Sequence, residues 1–324
     1  MTRLVPALLL AIAAISAAAL SHGDYPVALP ELARILTGGE ANPQAALVVM
    51  EFRLPRLLLG MVVGVALAVA GAVTQAIMRN PLAEPGILGI NSGAALAAVV
   101  VIVHLEGRSL HLLPWLSFLG ALAMTVLLYL LSWRGGTSAM RIVLVGIGLN
   151  ALAGAAATFI STFGEVARMQ QAMVWLAGSV YDSSWEKLGV TLAWVAPPVA
   201  LIWLLSRELD VLTFDDLAAR GLGQRVDRAR AAMMLLCALA CGAAVSAAGL
   251  VGFIGLVAPH IARRLVGHAH ARLVPVSALI GALLVICADF AGRTVIAPAQ
   301  LPVGLTTAIL GAPFFIYLMW RRRA

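Results

Sequence analysis

The side chains able to do chemistry in this 324-residue chain are few and scattered. Six histidines stand at His22, His104, His111, His260, His268 and His270, and none belongs to an HExxH motif or a Cys/His cluster of metal-ligand spacing. Cys237, Cys241 and Cys287 all lie inside apolar stretches. That is the setting of small buried side chains rather than of a disulfide or metal framework. A P-loop needs a glycine-rich turn ending in lysine to reach the phosphates. The one lysine, Lys187, follows Ser-Ser-Trp-Glu, so ATP hydrolysis would have to come from another chain. One acid, Asp289, sits inside an apolar run, four residues before Arg293. On a helix this spacing brings the two onto one face and predicts a structural ion pair.

The elements that would carry these residues are apolar. The chain is 62% hydrophobic and 11% charged, against roughly 45–50% and about 25% in soluble domains. Long stretches free of charge cover residues 4–20, 57–78, 86–105, 111–133, 142–164 and 188–206. Another runs over 231–262, too long for one span. Gly249, Gly252, Gly255 and Pro259 divide it into a helix and a short, broken return. Residues 273–293 and 294–320 complete ten predicted crossings, each near the 20 residues that a bilayer requires. Residues 1–23, with a basic start and a small-residue end, also fit a cleavable signal peptide, although the apolar run is long for one. The fold class expected is all-α: a polytopic membrane helical bundle of about ten transmembrane helices, with residues 1–324 as a single transmembrane domain.

Charge sets the orientation. With the N-terminus in the cytoplasm, fifteen of the 22 basic residues fall inside: Arg3, Arg79, Arg134, Arg141, five arginines between 207 and 230, Arg263, Arg264, Arg272, Arg321, Arg322 and Arg323. Seven fall outside: Arg34, Arg53, Arg56, Arg108, Arg168, Lys187 and Arg293. Both termini are therefore expected in the cytoplasm. Arginines spread between apolar runs mark topology and give no nucleic-acid patch. The outer segment 21–56 contains LPELARIL, one short amphipathic helix. The inner segment 207–230 carries five arginines and five acids and reads as two short surface helices broken at Gly221 and Gly223. It is either a solvated connector or a docking surface for a cytoplasmic partner. Arg53-x-x-Arg56 and Arg225-x-x-Arg228 precede apolar runs that cross in opposite directions, a weak inverted echo of the kind found in transporters. No span carries a charge near its middle, and no polar group gathers at one depth. The absences argue against a membrane enzyme and against transport coupled to protons or sodium, and a self-sufficient secondary transporter or channel stays the alternative class. A permease powered by a separate ATPase needs no such charge or polar cluster.

Six motifs then appear in order. They are RLPR at 53–56, RNPLAEPGILGINSGAALA at 79–97, WLAGS at 175–179, GLVGFIGLVAPHIAR at 249–263, ADFAGR at 288–293 and LPVGLTTAILGAPFFIYL at 301–318. Together they resemble the bacterial permeases that import ferric siderophores, haem and vitamin B12, from about residue 50 to the end. The resemblance implies a BtuC-like type II ABC importer permease in the bacterial inner membrane. It pairs with a second permease subunit, two cytoplasmic ATP-binding subunits and a periplasmic substrate-binding protein. It binds no cofactor itself, and ATP is used by the partner. In that family Arg53, Arg56 and Arg293 match outer arginines that pair with acids of the binding protein. Asp215, Asp216, Leu217, Ala218, Ala219, Arg220, Gly221, Leu222 and Gly223 match the segment that couples to the ATPase. Asn80, Pro81 and Leu82, with Ser138, Ala139 and Met140, match cytoplasmic gate loops. Family members often carry small hydroxyl residues where this chain has Ala139 and Met140. The stretches VVMEFRLPRLLLG and VWLAGSVYDSSW are most like siderophore permeases, with haem and vitamin B12 permeases as near neighbours.

Overall fold

The computed structural model describes residues 3–105 and 111–321, and every regular element within them is helical. Arg108, Arg322 and Arg323 of the charge count lie outside the described residues. In chain order the helices are α1 (Leu4–Ser21), α2 (Leu29–Leu36), α3 (Pro43–Leu47), a π-helical segment (Val48–Arg53) and α4 (Leu54–Ile77). A 3₁₀ turn (Pro85–Leu88) leads into α5 (Ile90–His104), α6 (Leu113–Ser132), α7 (Ala139–Thr162), α8 (Val166–Leu176) and α9 (Trp185–Leu204). Then follow α10 (Ser206–Leu212), α11 (Asp216–Gly221), α12 (Val226–Ala248), α13 (Ile254–Val266), α14 (His270–Thr294) and α15 (Val303–Arg321).

Each of the ten expected crossings meets a helix: α1, α4, α5, α6, α7, α9, α12, α13, α14 and α15. Seven helices are long and apolar enough to span a bilayer among the described residues. The others differ for a physical reason. α13 has 13 residues, about 20 Å of rise against a hydrocarbon core of about 30 Å. It starts inside the bundle because the chain breaks twice before it, at Gly249 (φ 69°) and at Phe253 (φ 67°). The broken return expected from the glycines is thus present. α5 likewise starts at depth, after a hairpin folds back from the end of α4. α8, which lies between two predicted spans, was not expected.

The centre of the bundle is α4, which packs on α14, α12, α13 and α9. Its small residues allow this. A Cβ added to Gly64 would lie 2.3 Å from the Gly281 carbonyl oxygen of α14, and one on Gly71 would lie 1.9 Å from that of Gly255 on α13. α4 and α12 contact each other and begin at opposite ends of the bundle, as the arginine echo implies. The WLAGS motif ties three elements together at one end. The Ser179 amide donates to the Ala248 oxygen at 2.7 Å, and the Gly304 amide donates to the Gly178 oxygen at 3.0 Å. The helix ends sort into two layers, named inner and outer below after the charge count.

Candidate functional site

At the inner layer the segment 207–230 forms α10 and α11, the two short helices expected. Their break falls at residues 213–215, which corrects the expected position at Gly221 and Gly223. Asp215 decides it, since its carboxylate accepts from the Ala218 amide at 2.8 Å and caps α11. Gly221 closes α11, and Gly223 turns the chain with φ 85°. Ala219 is buried, while Phe214, Leu217 and Leu222 are exposed at 53%, 81% and 66%. Apolar side chains presented beside a network of ions suit a protein contact better than water.

The network itself was invisible in the sequence. Asp216 pairs with Arg79 and accepts from Arg230 Nη2 at 2.9 Å. Arg230 is fully buried, and its Nη1 donates to the Thr137 oxygen at 2.9 Å and to Thr137 Oγ1 at 2.8 Å. Thr137 in turn donates its amide and hydroxyl to Asp227 Oδ1 at 2.7 and 2.8 Å, and Arg220 reaches Asp227 Oδ2 at 3.5 Å. Arg79 precedes Asn80, Pro81 and Leu82, and Thr137 precedes Ser138, Ala139 and Met140. One carboxylate on α11 therefore tethers both predicted gate loops. Each loop is also fixed locally. Asn80 Oδ1 accepts from the Leu82 amide at 3.0 Å, and Ser138 caps α7 by accepting from the Arg141 amide at 3.3 Å. Partial burial raises the Asp216 carboxyl, but the hydrogen bonds from Arg79 and Arg230 outweigh it and hold its pKa below the ordinary carboxylate value. Next to this network lies an inner cavity of about 770 Å³ lined by Arg79, Asn80, Pro81, Phe214, Arg263 and His270 among others. His268 is exposed, whereas His270 is buried and its Nδ1 lies 2.6 Å from Asp210 Oδ1.

At the outer layer the three arginines expected there each make contacts within the subunit. Arg53 is 9% exposed and donates to the Leu20 oxygen at 2.7 Å and the Tyr25 oxygen at 2.6 Å. It closes the π-helical segment, and a π turn shifts the usual three-residue register. Arg56 points elsewhere: its Nε and Nη2 grip Asp289 at 3.1 and 2.8 Å, and its Nη1 donates to Gln300 at 2.9 Å. Asp289 thus takes its main partner from α4, across the bundle. Arg293, the partner expected from helix spacing, has Nε at 3.9 Å from Asp289 and donates Nη2 to the Ala19 oxygen at 2.5 Å. The three guanidinium groups bind the ends of α1, α4 and α14 together.

Asp289→Ala should therefore cost about 3–5 kcal/mol, because it strands Arg56 in a largely buried site. The check is the unfolding transition of purified protein in detergent. Adding Arg56→Leu should recover part of the loss. An unchanged transition in the single variant would mean that water already solvates the pair.

The structure also gathers polar groups that the sequence scatters. The Glu84 carboxylate accepts from the Phe253 amide at 3.1 Å, at the start of α13. A Cβ on the adjacent Gly255 would lie 2.7 Å from Pro85 and 3.1 Å from the Leu67 oxygen, so this contact sits level with the middle of α4. Nearby, Ser92 Oγ lies 2.5 Å from Asn150 Oδ1, and Asn150 Nδ2 donates to the Gly86 oxygen at 3.2 Å. The expectation that nothing polar meets at one depth is corrected. It failed because residues 79–85 read as an inner loop, whereas they fold back into the bundle. Glu84 is engaged as a cap on the positive end of α13. Among the described residues no group of three His, Cys, Asp or Glu is arranged to hold a metal ion.

Two loops tethered to one short surface helix and a bundle centred on small residues describe a helical membrane subunit. The FecCD transport family matches this chain over residues 8–321. The chain belongs to that family. Similar proteins include a probable siderophore transport system permease, YfhA, of Bacillus subtilis, 45% identical over 88% of this chain and 85% of that one. The achromobactin transport system permease CbrC of Dickeya dadantii is 42% identical over 97% and 90%. The Fe(3+) dicitrate transport system permease FecD of Escherichia coli is 40% identical over 97% of each. A solved inward-facing structure of a metal-chelate type ABC transporter superposes with a TM-score of 0.90 at 28% identity, covering 99% of this chain and all of that one. As a FecCD member the chain is a membrane permease of the ABC importer class, and its all-helical fold is BtuC-like.

Proposed function

We propose that this FecCD permease carries a ferric siderophore across the bacterial inner membrane, driven by ATP hydrolysis on a separate subunit. The observation that carries the reading is Asp216, which links a surface helix of exposed apolar residues to both gate loops. A subunit with its own energy source needs no such surface. A partner ATPase that moves α11 would move residues 80–82 through Arg79 and residues 138–140 through Arg230 and Thr137. The likeness to YfhA and CbrC favours siderophores as the cargo.

Two cytoplasmic ATPases would meet Phe214, Leu217 and Leu222, and a second permease subunit would complete the pathway. A periplasmic binding protein would dock on the outer face, whose shape Arg53, Arg56 and Arg293 hold through their internal contacts. Both termini would lie in the cytoplasm. Reporter fusions after Ala324 and at Gly38 should accordingly fall on opposite sides of the membrane, and same-side signals would overturn that orientation. The test of function is uptake by the reconstituted complex, offered labelled ferric siderophores, haem and cobalamin in turn. Siderophore uptake that stops without ATP supports the proposal. Uptake of haem or cobalamin alone would reassign the cargo, and uptake without the ATPase would point to a secondary transporter.

A further inference from the structure

Between α5 and α7 lies a groove of about 410 Å³, lined by Gly86, Asn91, Ser92, Asn150, Gly154 and Leu250 among others. Asn150 is the twelfth of 24 residues in α7, hence near mid-depth. Its amide is already oriented, by Ser92 on one side and the Gly86 carbonyl on the other. Asn91 is different. Its Oδ1 is buried and has no hydrogen-bond partner, a costly state unless another group supplies a donor. Side chains of this polarity are disfavoured against hydrocarbon, so a mid-depth groove that holds them faces water, cargo or protein. The groove is also open where bulk would block it, since a Cβ added to Gly154 would meet nothing within 4 Å. Its floor at Gly86 belongs to the same hairpin as the gate loop 80–82, which places it on the line from the inner gate towards the outer end.

We propose that Asn91, Ser92 and Asn150 form a mid-membrane contact that hydrogen-bonds the uncharged oxygens and amides on the outside of an iron chelate in transit. The inference rests on the importer reading above. Two amides and a hydroxyl offer donors and acceptors that can replace the hydration shell of such a cargo. They carry no charge, so they neither select the charge of the chelate nor hold it too tightly to leave. The groove thus reads the polar shell of the cargo and not its metal.

The test uses the complete complex with its ATPase and binding protein in proteoliposomes, in a background with Cys287→Ala. Asn91→Cys and Asn150→Cys should each react with a small hydrophilic thiol reagent, while Leu192→Cys, exposed on α9, should not. Labelling should slow when a ferric trihydroxamate is being turned over. No labelling at either position would overturn the proposal in favour of lipid or a second subunit covering the groove. This arm needs no transport by wild type, so it separates failure of the groove from failure of the importer reading. Asn91→Leu with Asn150→Leu should lower trihydroxamate uptake by about tenfold, the loss expected from one or two hydrogen bonds. ATP hydrolysis stimulated by the binding protein should stay unchanged. Unaltered uptake, or uptake and ATP hydrolysis falling together, would overturn the contact as a cargo site.

Discussion

Asp216→Ala is expected to abolish uptake while ATP hydrolysis by the partner continues. The substitution removes the one acceptor that Arg79 and Arg230 share. Arg230 has no exposure to water, and stranding a buried cation costs about 3–5 kcal/mol. That cost would loosen the joint between α11 and both gate loops before it unfolded a bundle this large. Two companions separate coupling from stability. Asp216→Asn keeps the shape but loses the charge, and should give intermediate uptake. Leu222→Glu changes an exposed side chain, so folding should be untouched while association with the ATPase weakens. The pH dependence has a defined sign. The native carboxyl titrates below the unfolded one, so its stabilisation is complete above the ordinary value near 4 and is lost as pH falls through the lowered native value. Acidification should therefore narrow the stability gap between wild type and Asp216→Asn. The measurements are chelate uptake and ATP turnover in the same proteoliposomes. Wild-type uptake in both Asp216→Ala and Leu222→Glu would reduce residues 207–230 to a connector.

Gly71→Leu should prevent the bundle from closing. Even a single Cβ there would sit 1.9 Å from the Gly255 carbonyl oxygen, 2.5 Å from its carbon and 2.5 Å from its Cα. These are backbone atoms, so no side chain can swing aside. α4 and α13 would have to separate, and Pro85 also lies close against Gly255 of α13. Overpacking a well-filled site costs typically 1–3 kcal/mol, and a leucine against rigid backbone belongs at or above about 3 kcal/mol. Gly64→Leu should behave alike, because a Cβ added to Gly64 or to Gly281 would lie 2.3 Å from the other's carbonyl oxygen. Gly189→Ala is the control: it meets nothing within 4 Å on α9, and alanine favours a helix over glycine by about 1 kcal/mol. Monodisperse yield and the unfolding midpoint in detergent should fall sharply for the first two variants and hold or rise for the control. A normal midpoint for Gly71→Leu would mean that α13 sits further from α4 than described.

Most of the architecture was legible because lipid imposes a strong rule. Each crossing must be a helix and must be apolar, so charge-free stretches located ten helices and the break at Gly249. The same rule misled at residues 79–85. A polar, proline-containing stretch between two spans reads as a loop in water, yet here it turns back and delivers Glu84, Gly86 and the start of α5 to mid-depth. Burial inside protein permits this where lipid would not. The arginines were legible in part. Spacing along one helix predicted Asp289 with Arg293, and that pair is present at 3.9 Å, but a guanidinium from α4 reaches the same carboxylate more closely, a contact that spacing on one helix cannot reveal.

The sequence by itself determined that this chain lies in a membrane and that its apolar helices cross it about ten times. It also determined that the chain lacks a P-loop and that its ordered motifs are those of chelate permeases. These are properties of composition and local pattern, which the chain carries before it folds. Only the tertiary structure decided that Asp216 joins the loops after Arg79 and Thr137, that Arg53, Arg56 and Arg293 spend their charges inside the subunit, and that Asn91, Ser92 and Asn150 converge on one groove. Each of these depends on residues from different helices and loops being brought together. Close packing around the glycines of α4 sets those distances, and no periodicity along the chain records them.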